Sequence, residues 1–284
     1  NVTDASIEVV RPRQNGLNAA CEHDLQNSLA DAVPDLRIEE MFRWRPGLLR
    51  TYDHLLVARA PNGTIAGVLG CTWRACAQLS LLHVGIHMIA SQYRRSGLFS
   101  ELWRHEITEV LPREPYRPSL VGVKTYNPIV YRAMQTFARL AGGQLYPDVD
   151  TNKQDPELVK LATQASMVLA PEHAFDATTG ALRAVGMPPD LYQDIPGIEG
   201  QPVRQYFQRH LNPGDRLLCL LRFPGFDDPA GAHQLFSSLA VALRYGRQQP
   251  SRSPVTIDSE PAMSNRGRGG AGMDTTKFLA AQAP

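Results

Sequence analysis

Apolar and polar positions alternate in short runs over the first half of the chain, and the period changes from strand-like to helix-like several times. Residues 7–10 read as a short strand and residues 17–33 as a helix, with Pro34 just past its end. Residues 54–60 and 64–73 are strand-like and are joined by Pro61-Asn62-Gly63, a turn signal that predicts a hairpin. A longer strand is expected over residues 79–90. Leu82, Val84, Ile86 and Met88 alternate on one face, and Leu81, His83, Gly85, His87 and Ile89 fall on the other. In residues 97–110, Phe99, Leu102, Trp103, Ile107 and Val110 share one stripe, the spacing of a helix buried on one side. A loop over 112–118, a strand over 119–126 and a helix over 127–141 follow, the last stopped by Gly142-Gly143.

The second half is less regular. Residues 146–212 are rich in Pro, Gly and Asp, with helical stretches at 155–169 and 202–211. Residues 216–223 form a strongly apolar run that reads as a closing strand, and 231–245 is again helix-like. From residue 247 to 284 the composition turns to Ser, Pro, Gly, Arg and Ala, which gives a core little to bury, so a disordered tail is expected. The pattern divides the chain into a core (1–145), an extension that completes the fold and adds to an acceptor site or a dimer contact (146–245), and a tail (246–284). The expected class is α/β in the α+β sense: a mixed, mostly antiparallel sheet flanked by helices, with a C-terminal extension.

Composition narrows the function classes. A net charge of +1 across 284 residues gives no overall field for nucleic acid or membrane partners. The single Arg266-Gly267-Arg268-Gly269-Gly270 stretch is too little to make RNA a partner. No apolar run reaches the roughly 18 residues of a spanning helix, and residues 1–6 carry no basic segment followed by an apolar one. A cytoplasmic location is the expectation. Cys21, Cys71, Cys76 and Cys219 have neither disulfide-framework nor zinc spacing and read as buried, reduced thiols. His83 and His87 would stand about 13 Å apart on a straight strand at ~3.3 Å per residue, so no metal is expected between them.

Residues 89–99 carry the chemistry. A strand runs into the loop Ser91-Gln92-Tyr93-Arg94-Arg95-Ser96-Gly97, which opens a helix. Unpaired N–H groups and the helix dipole at such a start favour anions, so a phosphate site is expected there. This segment resembles motif A of the GNAT superfamily of N-acetyltransferases, V-x-P-x-Y-R-x-x-G-x-G/A-x-x-L. The matching positions are Ile89, Tyr93, Arg94, Gly97 and Leu102, while Ser91 stands for the Pro and Phe99 for the second small residue. Asn127-Pro128 resembles the family's motif B, where Asn caps the helix. The family's Tyr seven residues on is Met134 here, with Tyr131 one turn earlier.

The resemblance spans roughly residues 7–141, and it implies direct acetyl (or other acyl) transfer from acetyl-CoA to an amine of a small molecule or peptide. It places Met88, Ile89 and Ala90 along the pantetheine arm, and the N–H groups of Arg94, Arg95, Ser96, Gly97, Leu98 and Phe99 around the pyrophosphate. Asn127 belongs to the same cofactor set. His83 or His87 is a candidate general base and Tyr126 or Tyr131 a candidate donor to the leaving thiolate. Each is equally readable as a structural residue. Gly85 leaves either substrate room or a close-packing point, and Glu39 or Glu40 is either a helix-end carboxylate or a partner for a cationic amine. The alternatives are a catalytically silent acyl-CoA-binding regulatory domain and an unrelated α/β protein that binds another phosphate ligand. No metal is called for, and a homodimer is compatible with the sequence.

Overall fold

A computed structural model describes residues 5–223 except 152, 193 and 197–199. The strands are β1 (Ser6–Val10), β2 (His54–Arg59), β3 (Ile65–Cys76), β4 (Leu79–Ile89), β5 (Leu120–Thr125), β6 (Gln144–Tyr146), β7 (Phe175–Asp176), β8 (Ala181–Leu182) and β9 (Arg216–Arg222). The helices are α1 (Pro12–Asn15), α2 (Ala19–Ala32), α3 (Ile38–Trp44), α4 (Leu98–His105), α5 (Pro128–Ala141), α6 (Pro156–Leu169) and α7 (Pro202–His210). The strands form one sheet in the order β1-β2-β3-β4-β5-β9-β8-β7, with β6 also against β9. Among the described residues β4–β5 is the one parallel pair. The class is therefore the expected one, mixed and mostly antiparallel.

Local signals explain the ends of the elements. Asn18 caps α2 by accepting from the Cys21 N–H at 2.8 Å, Asp155 caps α6, and Pro156 takes its first position, where no N–H is needed. α5 stops at Gly142 in the left-handed conformation (φ 63°). Helix α4 is shorter than the apolar stripe suggests, because residues Glu106–Val110 continue as a π-helical segment. That widening turns the Glu106 side chain inward to His54, 2.9 Å from its Nδ1. The sequence reading missed α3 and the two-residue strands β7 and β8, which are too short to show a period.

Both sheet faces are covered. α4, α5 and α7 pack on one face, where Leu82, Val84, Leu102, Trp103, Phe137, Phe207 and Leu221 form the largest core cluster. α2 and α3 cover β2–β4 on the other face around Leu29, Phe42, Leu55 and Val68. α6 covers β5 and β9 around Leu81, Leu120, Ala162 and Leu218. Strand β9 alternates Leu217, Cys219 and Leu221 into one core and Leu218 and Leu220 into the other, which is why its sequence is apolar throughout.

One expectation about the thiols is corrected: Cys71, Cys76 and Cys219 are buried, but Cys21 is exposed on α2. The segments expected as a helix at 231–245 and a tail at 247–284, with Arg266 to Gly270, lie outside the described residues. No described helix is long and apolar enough to cross a membrane.

Candidate active site

The alternation expected along β4 fails at its middle, and the failure makes the site. Gly70 pairs with Ile86 and Cys71 with Val84, so Gly85 is an extra, unpaired residue: a β-bulge. Before it, Leu82 and Val84 face α4 and α5. After it, Ile86 and Met88 face α2 and α3. His83 and His87 therefore lie on opposite faces, not on one. Nor is Gly85 open space. A Cβ there would stand 2.7 Å from Tyr52 Cε1, and one on Gly70 would stand 2.8 Å from Tyr52 Cδ2. The buried Tyr52 ring is held between the two glycines.

Beyond the bulge, β4 leaves its neighbour. The parallel pairing runs from Leu81↔Leu120 to Val84↔Val123 and stops, while Lys124 and Thr125 go on pairing with β9. Among the described residues the β5-facing edge of β4 from residue 85 to 89 thus has no strand partner. Two cavities occupy the resulting gap. The outer one is lined by Ile89, Arg94, Arg95, Gly97, Asn127 and Arg132 among others. The inner one is lined by His83, Gly85, Lys124, Tyr126, Met187 and Arg216 among others. His87, Met88, Val130 and Tyr192 line both, so the cavities meet at these residues.

A loop ending at Gly97 (φ 88°, the left-handed region that suits glycine) feeds the outer cavity and begins α4. The N–H groups of Gly97, Phe99 and Ser100 have no acceptor among the described residues. Arg94 is not free: its guanidinium is bonded to Asp35, 2.7 Å from Oδ2, and Asp35 also accepts from Ser91 Oγ. Burial alone would raise the Asp35 pKa, but the bonds from Arg94 and Ser91 outweigh it and hold the carboxyl below its usual range. Phe99, at the place of the motif's small residue, stacks on the His87 ring with centroids 4.1 Å apart. Asn127 Oδ1 accepts from the Ile129 N–H at 2.9 Å and caps α5, while the residue also lines the outer cavity.

The two histidines are poor bases as they stand. Burial pushes the His87 pKa down to about 3. Its Nδ1 accepts from Trp103 Nε1 at 3.1 Å, which puts the ring proton on Nε2, and Nε2 is buried without a partner among the described residues. His87 is thus a neutral donor at the junction of the cavities. His83 is also pushed down to about 3, by burial and then by the nearby Lys124, Arg74 and Arg45. Of the tyrosines, Tyr126 lines the inner cavity beside Tyr192, ring centroids 5.8 Å apart. Burial raises its pKa, so it stays protonated. Tyr131 does not reach the cleft. It is fully buried under α5, donates to Pro147 O at 2.8 Å and accepts from the Val149 N–H. Glu39 and Glu40 also lie away from the inner cavity, with Glu40 bonded to Arg37.

Residues that sequence reasoning passed over line the inner cavity: Arg45 after α3, Lys124 near the end of β5, Arg216 at the start of β9, and Val185, Gly186, Met187, Leu191 and Tyr192 from the extension. A lone cation inside an otherwise apolar strand, as at Lys124, was the signal to be found.

Strand β4 parts from β5 and runs into an N–H-rich helix start at the mouth of the gap, in keeping with a strand that splays from its neighbour, which the motif resemblance implies; the bulge at Gly85 was not part of that expectation. No protein-family profile matches the sequence, and no curated protein matches it. Among solved structures, the chain is similar to a diaminobutyrate acetyltransferase from Paenibacillus lautus, at 11% identity over 79% of this chain and 98% of that one (TM-score 0.40). It is also similar to a GNAT-family N-acetyltransferase from Escherichia coli in complex with CoA, at 16% identity over 46% of this chain and 67% of that one (TM-score 0.33). A GNAT-family acetyltransferase from Staphylococcus aureus matches at 12% identity over 51% and 89% (TM-score 0.34).

Proposed function

We propose that this protein is an acyl-CoA-dependent N-acyltransferase that moves an acetyl group directly to an amine. The observation that carries the reading is the gap between β4 and β5, with its two cavities joined at His87 and Met88. The residues present fit an acyl-CoA. Unpaired N–H groups at the start of α4 and the cations Arg95 and Arg132 suit a pyrophosphate. The β5-facing backbone edge of Met88 and Ile89 suits the amides of the pantetheine arm. The thioester then falls at the junction, and the inner cavity receives the amine.

The chemistry follows from the charges. A Lys-like ammonium with a pKa of about 10.4 is protonated at neutral pH and cannot attack. Arg45, Lys124 and Arg216 surround the inner cavity, and no carboxylate among the described residues lines it. Like charges disfavour the ammonium form, so the bound amine loses its proton more readily than in water. Its nitrogen then forms a bond to the thioester carbon, and the His87 Nε2–H, without a partner among the described residues, would donate to the oxyanion. As the C–S bond breaks, the thiolate needs one proton and the new amide nitrogen sheds one. Tyr126 is the residue for that transfer. The rest of the rate comes from holding the two substrates together, worth several kcal/mol.

The test is calorimetry with acetyl-CoA on the protein and on Gly97→Glu. The substitution places a bulky like charge at the start of α4, and affinity should fall more than about tenfold. Any non-glycine residue at φ 88° also costs about 1–2 kcal/mol of stability, so the variant should melt somewhat lower but cooperatively. A folded Gly97→Glu protein with unchanged affinity would remove this loop as the pyrophosphate cradle.

A further inference from the structure

The inner cavity holds an unbalanced set of charges. Arg45 Nη2 donates to Val185 O at 2.8 Å, Lys124 Nζ to Leu169 O at 2.6 Å, and Arg216 Nη1 to Asp215 O at 2.7 Å. All three partners are backbone carbonyl oxygens. None of the three cations has an ion pair with a carboxylate among the described residues. Nearby acids are committed elsewhere. Asp215 accepts from Arg183 and from the N–H groups of Ala184 and Asn212, and Asp194 is paired with Arg204. Arg216 is buried, and its guanidinium lies over the rings of Tyr126 and Tyr192 at 5.5 and 5.8 Å.

Unpaired cations gathered in a half-buried cleft repel one another and are costly to desolvate. Lys124 shows the strain: burial first, then Arg45, Arg74 and Arg216, push its pKa down to about 8. A fold retains such a set where a ligand supplies the missing anion. The outer cavity already has its own cations, Arg95 and Arg132, for the phosphates of CoA. The same cleft is hostile to polyamines, because a second ammonium would meet three cations and, among the described residues, no carboxylate.

We propose that the acceptor is a carboxylate-bearing amine of the amino-acid type, with its carboxylate held by Arg45, Lys124 and Arg216 and its amine directed at the junction by His87. This deepens the acyltransferase reading and rests on it. A carboxylate could also arrive at the end of a dicarboxylic acyl group, and the experiment separates the two sources.

The experiment measures acetyl transfer to α-amino acids and to the matching α-amino carboxamides, which differ only in the carboxylate, with spermidine alongside. Acetyl-CoA and succinyl-CoA affinities are measured by calorimetry. At least one amino acid should be preferred over its carboxamide by about tenfold or more in kcat/KM, through KM. That ratio should collapse toward one in Arg45→Gln, and in Lys124→Met should Arg45→Gln prove unstable, with acetyl-CoA affinity within about twofold of the parent's. Preference for carboxamides or spermidine, or no amino acid bound or acetylated while acetyl-CoA binds, would overturn the proposal and leave the acyltransferase reading standing. Tighter binding of succinyl-CoA that is lost in Arg45→Gln would assign the carboxylate to the acyl group and overturn the acceptor. Absence of acetyl-CoA binding would remove both readings.

Discussion

Alanine at position 85 is expected to destabilise this protein although it adds a single methyl group. The new Cβ would meet Tyr52 Cε1 at 2.7 Å, Oη at 2.9 Å and Cζ at 3.2 Å. Real side chains do not sustain contacts under about 3 Å, so something must move. The Tyr52 ring cannot retreat, because it is 2% exposed and its other edge is against Gly70, where a Cβ would stand 2.8 Å from Cδ2. Overpacking of this kind costs about 1–3 kcal/mol. For a domain of this size each kcal/mol lowers Tm by roughly 2–4 °C, so a fall of about 2–12 °C is expected. The assay is thermal melting of the parent, Gly85→Ala, Tyr52→Leu and the double variant. Removing the aromatic ring should relieve most of the clash, leaving a coupling of about 1 kcal/mol or more between the two sites. If Gly85→Ala melts with the parent, or if the two effects simply add, the ring is not wedged against the bulge and Gly85 serves another purpose.

Other outcomes follow from the charges. Glu106→Gln should cost about 1.5–3 kcal/mol, since Glu106 is fully buried against His54 and its loss leaves the imidazole with Glu114 as its remaining carboxylate partner, 3.2 Å from Nε2. Burial alone would lower the His54 pKa, but the bond and charge of Glu106, joined by Glu114, raise it above 6.5 overall. That stabilisation is full below the unfolded value of 6.5 and is lost as pH rises through the higher folded value. Melting against pH should therefore decline above about 6.5 in the parent and do so less in Glu106→Gln; parallel profiles would contradict the pairing. Asp35→Asn releases Arg94 and removes a negative charge from the outer cavity, so acetyl-CoA affinity should rise by about two- to fivefold at low salt, as read by calorimetry; weaker binding would mean that Arg94 acts only when held.

Much of the layout was legible because long elements print their period. The 12- and 11-residue strands β3 and β4 and the stripes on α4 and α5 appear in the sequence close to where the structure has them. The bulge at Gly85 was not legible. A period of two carried through residues 79–90 puts Leu82 and Met88 on one face, and nothing in the local sequence says that one residue will be left unpaired. The reason lies far away in sequence, in a tyrosine at position 52. The same limit applies to the candidate site. The Gly97 loop could be read because its strand, loop and helix are contiguous. Arg45, Lys124 and Arg216 come from three separate elements and meet only in the folded sheet. Tyr131 misled for the converse reason: its place on α5 was right, but the helix turns it away from the cleft and under Pro147.

The position of β9 sets an order of events during synthesis. This strand, the last in the described chain, lies inside the sheet and not at its edge, pairing with β5 on one side and with β6 and β8 on the other. Until residue 222 has left the ribosome, β5 has a bare edge beside the segment that carries Lys124. The first 145 residues thus emerge with an unfinished sheet, whose exposed strand could pair with another nascent copy. At a synthesis rate of about 5–20 residues per second, that exposure lasts on the order of 5–20 s. Arg216 arrives with the strand that ends it, so the cleft gains its last cation in the same step that closes the sheet. A chain cut short before β9 would lack both, and would be a substrate for chaperones.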